Sequence, residues 1–162
     1  MPNTVSNTGP ILALAHIEQF ELLRKLFGAI IIPPSVRNEI KDAISLAAVN
    51  QAIAANWLTV QAAQDALAVQ LLNEELDAGE SEAIILSKEL PADLVLIDER
   101  AATRKARSLG LRVIGTLGVL LMGKQAGHIT AVRPLLDHLL TFGFRMSTDL
   151  YEQVLKDANE SV

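Results

Sequence analysis

The stretch "ADLVLIDERAATRKARSLGLRVIGT", residues 92–116, decides the fold. The apolar run Leu94–Val95–Leu96–Ile97 predicts a strand buried on both faces, the pattern of a parallel sheet covered by helices on each side. Asp98, Glu99 and Arg100 follow with no turn residue between them. "ERAATRKARSLG" then predicts a helix stopped by Gly110, and "LRVIGT" predicts the next strand. Parallel strands need such a crossover. In open parallel sheets, sites form outside the carboxyl ends of strands, which is where Asp98 is expected to lie.

The same alternation extends outward. Upstream, "ESEAIILSKEL" predicts a helix with Glu80 in its first turn, and "AQDALAVQLLNEELDAG" a helix ending at Gly79. "WLTVQ" is a short strand at an edge or in a connection, and "AIIIPP" a short buried one. Between them, "PSVRNEIKDAI" carries Val36, Ile40 and Ile44 at helical spacing, continuing through "SLAAVNQAIAAN". "NTVSNTGP" supplies a first strand and a Gly-Pro break, with Pro10 in the first turn of the next helix. "ILALAHIEQFELLRKLFG" predicts one or two helices stopped by Gly28. Downstream, "LGVLLMGKQAG", "AVRPLLDHLL" and "TDLYEQVLKDAN" predict three more helical segments. The expected class is α/β, a sandwich with a mostly parallel sheet. We read residues 1–162 as a single domain with a helical C-terminal part from about residue 117.

Composition narrows the function. The chain has 162 residues, 50% of them apolar, enough for one domain with a sizeable core. It has no cysteine, which removes disulfides, thiolate metal sites and cysteine nucleophiles. We expect a cytoplasmic protein without a signal peptide or membrane span. The net charge of −5 argues against a general basic nucleic-acid coat, though not against a basic rim around an acidic centre.

Four polar residues stand where this architecture places chemistry: Asn7 after the first strand, Glu39 in the helix after the second, Glu80, and Asp98. Each has an ordinary alternative. Asn7 can stabilise a turn, Glu39 can be a solvated helix residue, Glu80 can complement its helix dipole, and Asp98 can cap the following helix. The conjunction is more telling than any single member.

Together with "VSNTGPILALA", "IIIPPSVRNEI", "LDAGESEAIILSKELPADLVLIDERAATRKARSLGLRVIGTLGVLL" and "GFRMSTDLYEQVL", these residues resemble a PIN domain. Within that family they resemble most the bacterial branch of VapC-type toxin ribonucleases. The resemblance implies a three-layer α/β/α sandwich and a metal-dependent ribonuclease site. It places the family's first-strand aspartate on Asn7 and its other acids on Glu39, Glu80 and Asp98. Glu82 and Glu99 are second choices. Thr8 matches the hydroxyl beside the first acid, and Thr116 supports the rim or caps the following helix. The resemblance also implies a homodimer and a small antitoxin partner that blocks the site. Asn7 departs from the pattern, because its side chain offers a carbonyl oxygen but no charge.

The chemistry explains why acids would gather. Carboxylates about 5 Å apart, at an effective dielectric near 20, repel by roughly 3 kcal/mol per pair. Protons or a cation relieve that repulsion. Magnesium or manganese suits an all-oxygen set, whereas His16, His128 and His138 lie in separate segments. The expected substrate is single-stranded RNA. Arg100, Arg104, Arg107 and Arg37 are candidates for its phosphates, with Lys41, Lys105 and Arg112 nearby. The bland alternative is a solvated helix face. No P-loop, GxGxxG fingerprint or nucleophile elbow occurs. Two other classes remain open: a catalytically weak nucleic-acid-binding or regulatory protein, favoured by Asn7, and a metal hydrolase of small phosphoesters.

Overall fold

The computed structural model describes residues 3–162. Five strands form one sheet: β1 (Thr4–Ser6), β2 (Ile30–Ile32), β3 (Leu58–Val60), β4 (Leu94–Leu96) and β5 (Val113–Ile114). Their order is β3-β2-β1-β4-β5, and every pairing is parallel. Val5 sits between Ile31 and Val95, so β1 and β4 are both interior strands. "WLTVQ" supplies the edge strand β3.

Side-chain alternation divides the core. Ile30, Ile32, Leu94 and Leu96 join the cluster on one face of the sheet. Val95, Ile97 and Val113 pack into a second cluster on the other face, where Val5 joins Ala83 and Leu86 in a third. Successive side chains of a strand point to opposite faces, so a strand can be apolar throughout only if both faces are covered, which accounts for the unbroken apolar run at 94–97.

The helices supply that cover. On the first face lie α1 (Thr8–His16), α2 (Glu21–Phe27), α8 (Thr116–Gln125), α9 (Arg133–Phe142) and α10 (Thr148–Asp157), with α3 (Pro34–Glu39) and α4 (Ala43–Ala54) beside them. On the second lie α5 (Ala66–Leu72), α6 (Ala78–Glu89) and α7 (Arg100–Ser108). The result is an α/β/α sandwich. No helix among the described residues is long and apolar enough to cross a membrane.

Several local expectations need correction. The helix expected to run from residue 34 through 56 is broken. Ile40 is extended, and Asp42 starts α4 anew by accepting a hydrogen bond from the Ser45 N–H. Ile40 still reaches the core, but Ile44 is 56% exposed, because the break changes the helical phase between them. Gly79 stops nothing: it lies inside α6, whose cap is Asp77. The helix before it ends at Leu72, and a turn follows. Asp98 does not cap α7 either. Glu99 does, accepting from the Arg100 and Ala101 N–H groups.

The strand order 3-2-1-4-5 reverses direction between β1 and β4. That gap is the topological switch point, where adjacent connections leave toward opposite faces and open a crevice. Asn7 and Asp98 follow the two strands that flank it.

Candidate functional site

At this switch point a cavity of about 450 Å³ is lined by Asn7, Thr8, Glu39, Asp77, Glu80 and Asp98, with Glu99, Phe144 and Arg145 at its margin. Segments far apart in the chain bring these residues together.

Asn7 is the N-cap of α1 by position, yet its side chain makes no capping hydrogen bond. It is 6% exposed, and its Oδ1 is buried without a partner among the described residues. The turn-stabilising role is therefore not what this side chain performs. A buried amide oxygen left unpaired costs about 1–3 kcal/mol, so a donor or a cation brought to it is stabilising.

Glu39 ends α3 and is held at both oxygens. Thr8 Oγ1 donates to Oε2 at 2.5 Å, and the Gly79 N–H donates to Oε1 at 2.9 Å. A β-carbon at residue 79 would lie 2.6 Å from Oε1, so only glycine lets the carboxylate approach the helix this closely. Glu80 forms a capping box with Asp77. Its N–H donates to Asp77 Oδ1 at 2.8 Å, and its Oε1 accepts from the Asp77 N–H at 3.1 Å. Only Oε1 is engaged in that box, so the helix-dipole role and a role in the cavity are compatible.

Asp98 is gripped from the opposite side. The Thr116 N–H donates to Oδ1 at 2.6 Å and its hydroxyl donates to Oδ2 at 2.7 Å. Thr116 is the first residue of α8 and Gly115 its cap, so Asp98 serves the open end of that helix from another strand. A β-carbon on Gly115 would meet Oδ1 at 2.6 Å. Asp98 as a residue is exposed toward the crevice, while its carboxylate is wedged between Thr116, Gly9 and Gly115.

The electrostatics follow. Burial pushes the Glu80 carboxyl above its ordinary range, the hydrogen bond from Asp77 opposes this, and the charges of Asp77, Glu99 and Glu39 add to the rise. Desolvation also raises Asp98, against the two bonds from Thr116. Both carboxyls are thus short of compensating positive charge.

The remaining candidates separate. Glu82 points elsewhere: it accepts from the Ser35 N–H and hydroxyl at 3.1 and 2.6 Å and from the Ala63 N–H at 3.2 Å. Thr116 acts through Asp98. Arg100 and Arg107 line a second groove, whereas Arg104 and Lys105 line a separate one beside Glu75. Arg37 donates to Asn50 at 2.6 Å and lines neither the cavity nor the Arg100 groove. His16 stacks on Phe142 and bonds to Asp42 at 2.8 Å, a structural role.

Sequence reasoning missed Asp77 and Arg145. Asp77 had a signal, an acid three residues before Glu80 at a helix start. Arg145 had none, because only the path of the C-terminal segment carries it to the crevice.

The donor set fits a hard divalent cation: carboxylates, one amide carbonyl, and no nitrogen or sulfur ligand. The orphaned Asn7 oxygen fits as well. No three His, Cys, Asp or Glu side chains among the described residues are already closed around one point. Acids spread around an open cavity leave room for an ion that keeps several of its waters.

The all-parallel α/β/α sandwich has acids gathered at its switch point, where such folds place their sites. A family model for PIN domains matches residues 3–160, and the chain belongs to that family. PIN domains have a nuclease fold, generally depend on a divalent metal, and are associated with nucleic-acid binding. A search of curated proteins found no match.

Proposed function

We propose that this protein is a magnesium- or manganese-dependent ribonuclease that hydrolyses phosphodiester bonds of single-stranded RNA. The observation that carries the proposal is the unpaired, buried Asn7 Oδ1 in a cavity shared with Glu39, Glu80 and Asp98. The three acids would hold the ion directly or through water, with Asn7 contributing its carbonyl. A bound divalent ion supplies an activated water and stabilises charge on the phosphate and leaving oxygen.

The chain's own residues do the rest. Thr8 and Gly79 fix Glu39, and Thr116 fixes Asp98, so the acids do not turn away from the cavity. Fixed carboxylate oxygens lower the reorganisation needed to hold a cation, which in turn would face the anionic substrate. Burial disfavours the charged forms of Glu80 and Asp98, and a neighbouring positive charge would offset that. No side chain here is placed as a covalent nucleophile.

The resemblance to VapC-type toxins extends the proposal to a cytoplasmic toxin, acting as a homodimer and blocked by a small antitoxin. A second reading has its own support. Asn7 brings no charge, and the acids are not closed into a ligand set, which favours a catalytically weak nucleic-acid-binding or regulatory protein.

Labelled single-stranded RNA separates the two. It is incubated with the protein and magnesium, manganese or chelator, beside Asp98→Ala. Cleavage that needs both the metal and Asp98 supports the ribonuclease. Tight binding without cleavage supports the binding protein.

A further inference from the structure

The acidic cavity does not end in solvent on all sides. Asp98, Glu99, Phe144 and Arg145 line it and also line a second groove of about 450 Å³. The two spaces therefore adjoin along a shared wall. The groove continues past Arg100, Thr103 and Arg107, the residues at one face of α7. One side is anionic and the other cationic, with Arg145 where they meet.

Arg145 comes from the segment between α9 and α10, not from the sheet or α7. It is exposed and forms no ion pair among the described residues, although Asp98 and Glu99 line the same spaces. Arg100 likewise forms none. Arg107 is committed only to a long bond of 3.4 Å from its guanidinium to the Val113 carbonyl. Donors left free beside an acidic pit suit a planar, bidentate hold on phosphate. Phe144, half-buried beside Arg145, presents an aromatic surface in the same wall.

We propose that Arg145 is a substrate-binding residue that grips a backbone phosphate next to the one under attack, and that the strand leaves the acidic cavity along the Arg100–Thr103–Arg107 groove. This rests on the ribonuclease reading for what happens in the cavity, but the path itself is a matter of binding. The substrate class that follows is an unpaired polynucleotide strand. Such a strand can pass from a narrow acidic cavity into a groove one helix face wide, and its exposed bases can meet Phe144.

The test uses the full chain with Arg145→Ala, Arg145→Lys and Lys25→Ala, the last an exposed residue of α2 that lines neither space. Single-stranded RNA binding is measured with magnesium in an Asp98→Asn background across a salt series. Cleavage is measured in the native background. We expect Arg145→Ala to weaken binding about tenfold or more and to flatten the salt dependence by about 0.7 in log–log slope. Cleavage should lose KM more than kcat, Arg145→Lys should recover part of the loss, and Lys25→Ala should match the parent. Metal-dependent cleavage with unchanged KM and salt slope in Arg145→Ala overturns this inference and leaves the ribonuclease standing. Arg145-dependent binding without any cleavage overturns the ribonuclease and keeps Arg145 as a phosphate-gripping residue. Faster cleavage in Arg145→Ala makes the arginine a plug for the acidic cavity and overturns the proposal. A protein that binds no RNA overturns both.

Discussion

Glu39 Oε1 rests on the backbone of Gly79, 2.9 Å from its N–H, at a spot a β-carbon would occupy. One absent methyl group thus sets where a candidate ligand stands. The atoms in the way belong to the end of a flexible side chain, so Gly79→Ala should move Glu39 rather than unfold the protein. The helix gains about 0.5–1 kcal/mol in propensity and loses a charge-assisted bond worth about 1.5–3 kcal/mol. Denaturation should show a net loss of about 1–2 kcal/mol, while metal-dependent cleavage falls, by no more than in Glu39→Ala. Full activity in Gly79→Ala would detach Glu39 from the chemistry.

Asn7→Asp adds a carboxylate beside Glu39, Glu80 and Asp98. Without metal, the new charge is buried among like charges, and thermal unfolding should occur at a lower temperature than in the parent. With magnesium or manganese the order should narrow or reverse, since a ligand at a hundred times its Kd adds about 2.7 kcal/mol. The readout is the metal-induced rise in Tm. Equal rises in parent and variant would remove Asn7 from the ligand set.

Glu82 and Glu80 stand two residues apart and are expected to behave differently. Glu82 serves three donors on Ser35 and Ala63 and joins α6 to the start of α3 and to the segment after β3. Glu82→Ala should cost about 1–3 kcal/mol in urea denaturation and leave cleavage per folded molecule intact. Glu80→Ala should remove cleavage as well as its capping box. Loss of cleavage in a fully folded Glu82→Ala would return Glu82 to the site.

Glu160 ties down the C-terminal segment. It accepts from Lys124 Nζ at 2.9 Å and from the Val132 and Arg133 N–H groups at 2.6 and 3.1 Å. Burial alone would raise its carboxyl, but these bonds and the Lys124 charge outweigh that and hold it below the ordinary glutamate range. Its contribution to stability is therefore complete above the unfolded value near 4.5 and is lost as pH falls through the lower folded value. Stability measured against pH should drop in that acidic window, and the drop should be shallower in Glu160→Ala. Identical acid profiles would refute the clamp.

Much of the fold was legible in the sequence because it depends on local chemistry. The apolar run at 94–97 marks a strand covered on both sides, and the break at Gly110 marks the end of the crossover helix. Errors fell where local signals compete. Gly79 looks like a helix stop by type, yet it is needed inside α6 because Glu39 comes in from α3. Val36, Ile40 and Ile44 keep helical spacing across a break that Asp42 makes by capping α4. Glu99 rather than Asp98 caps α7, and the adjacent carboxylate is thereby left for Thr116.

By itself the sequence determined the parallel α/β architecture and the types of oxygen donor at the strand ends, since burial patterns and side-chain chemistry are written residue by residue. Only the tertiary structure decided that Glu82 faces away, that Arg104 parts from Arg100 and Arg107, and that Arg145 reaches the crevice from beyond α9. Direction in space depends on how separate helices pack over the sheet, and that is a property of the whole folded chain rather than of any one segment.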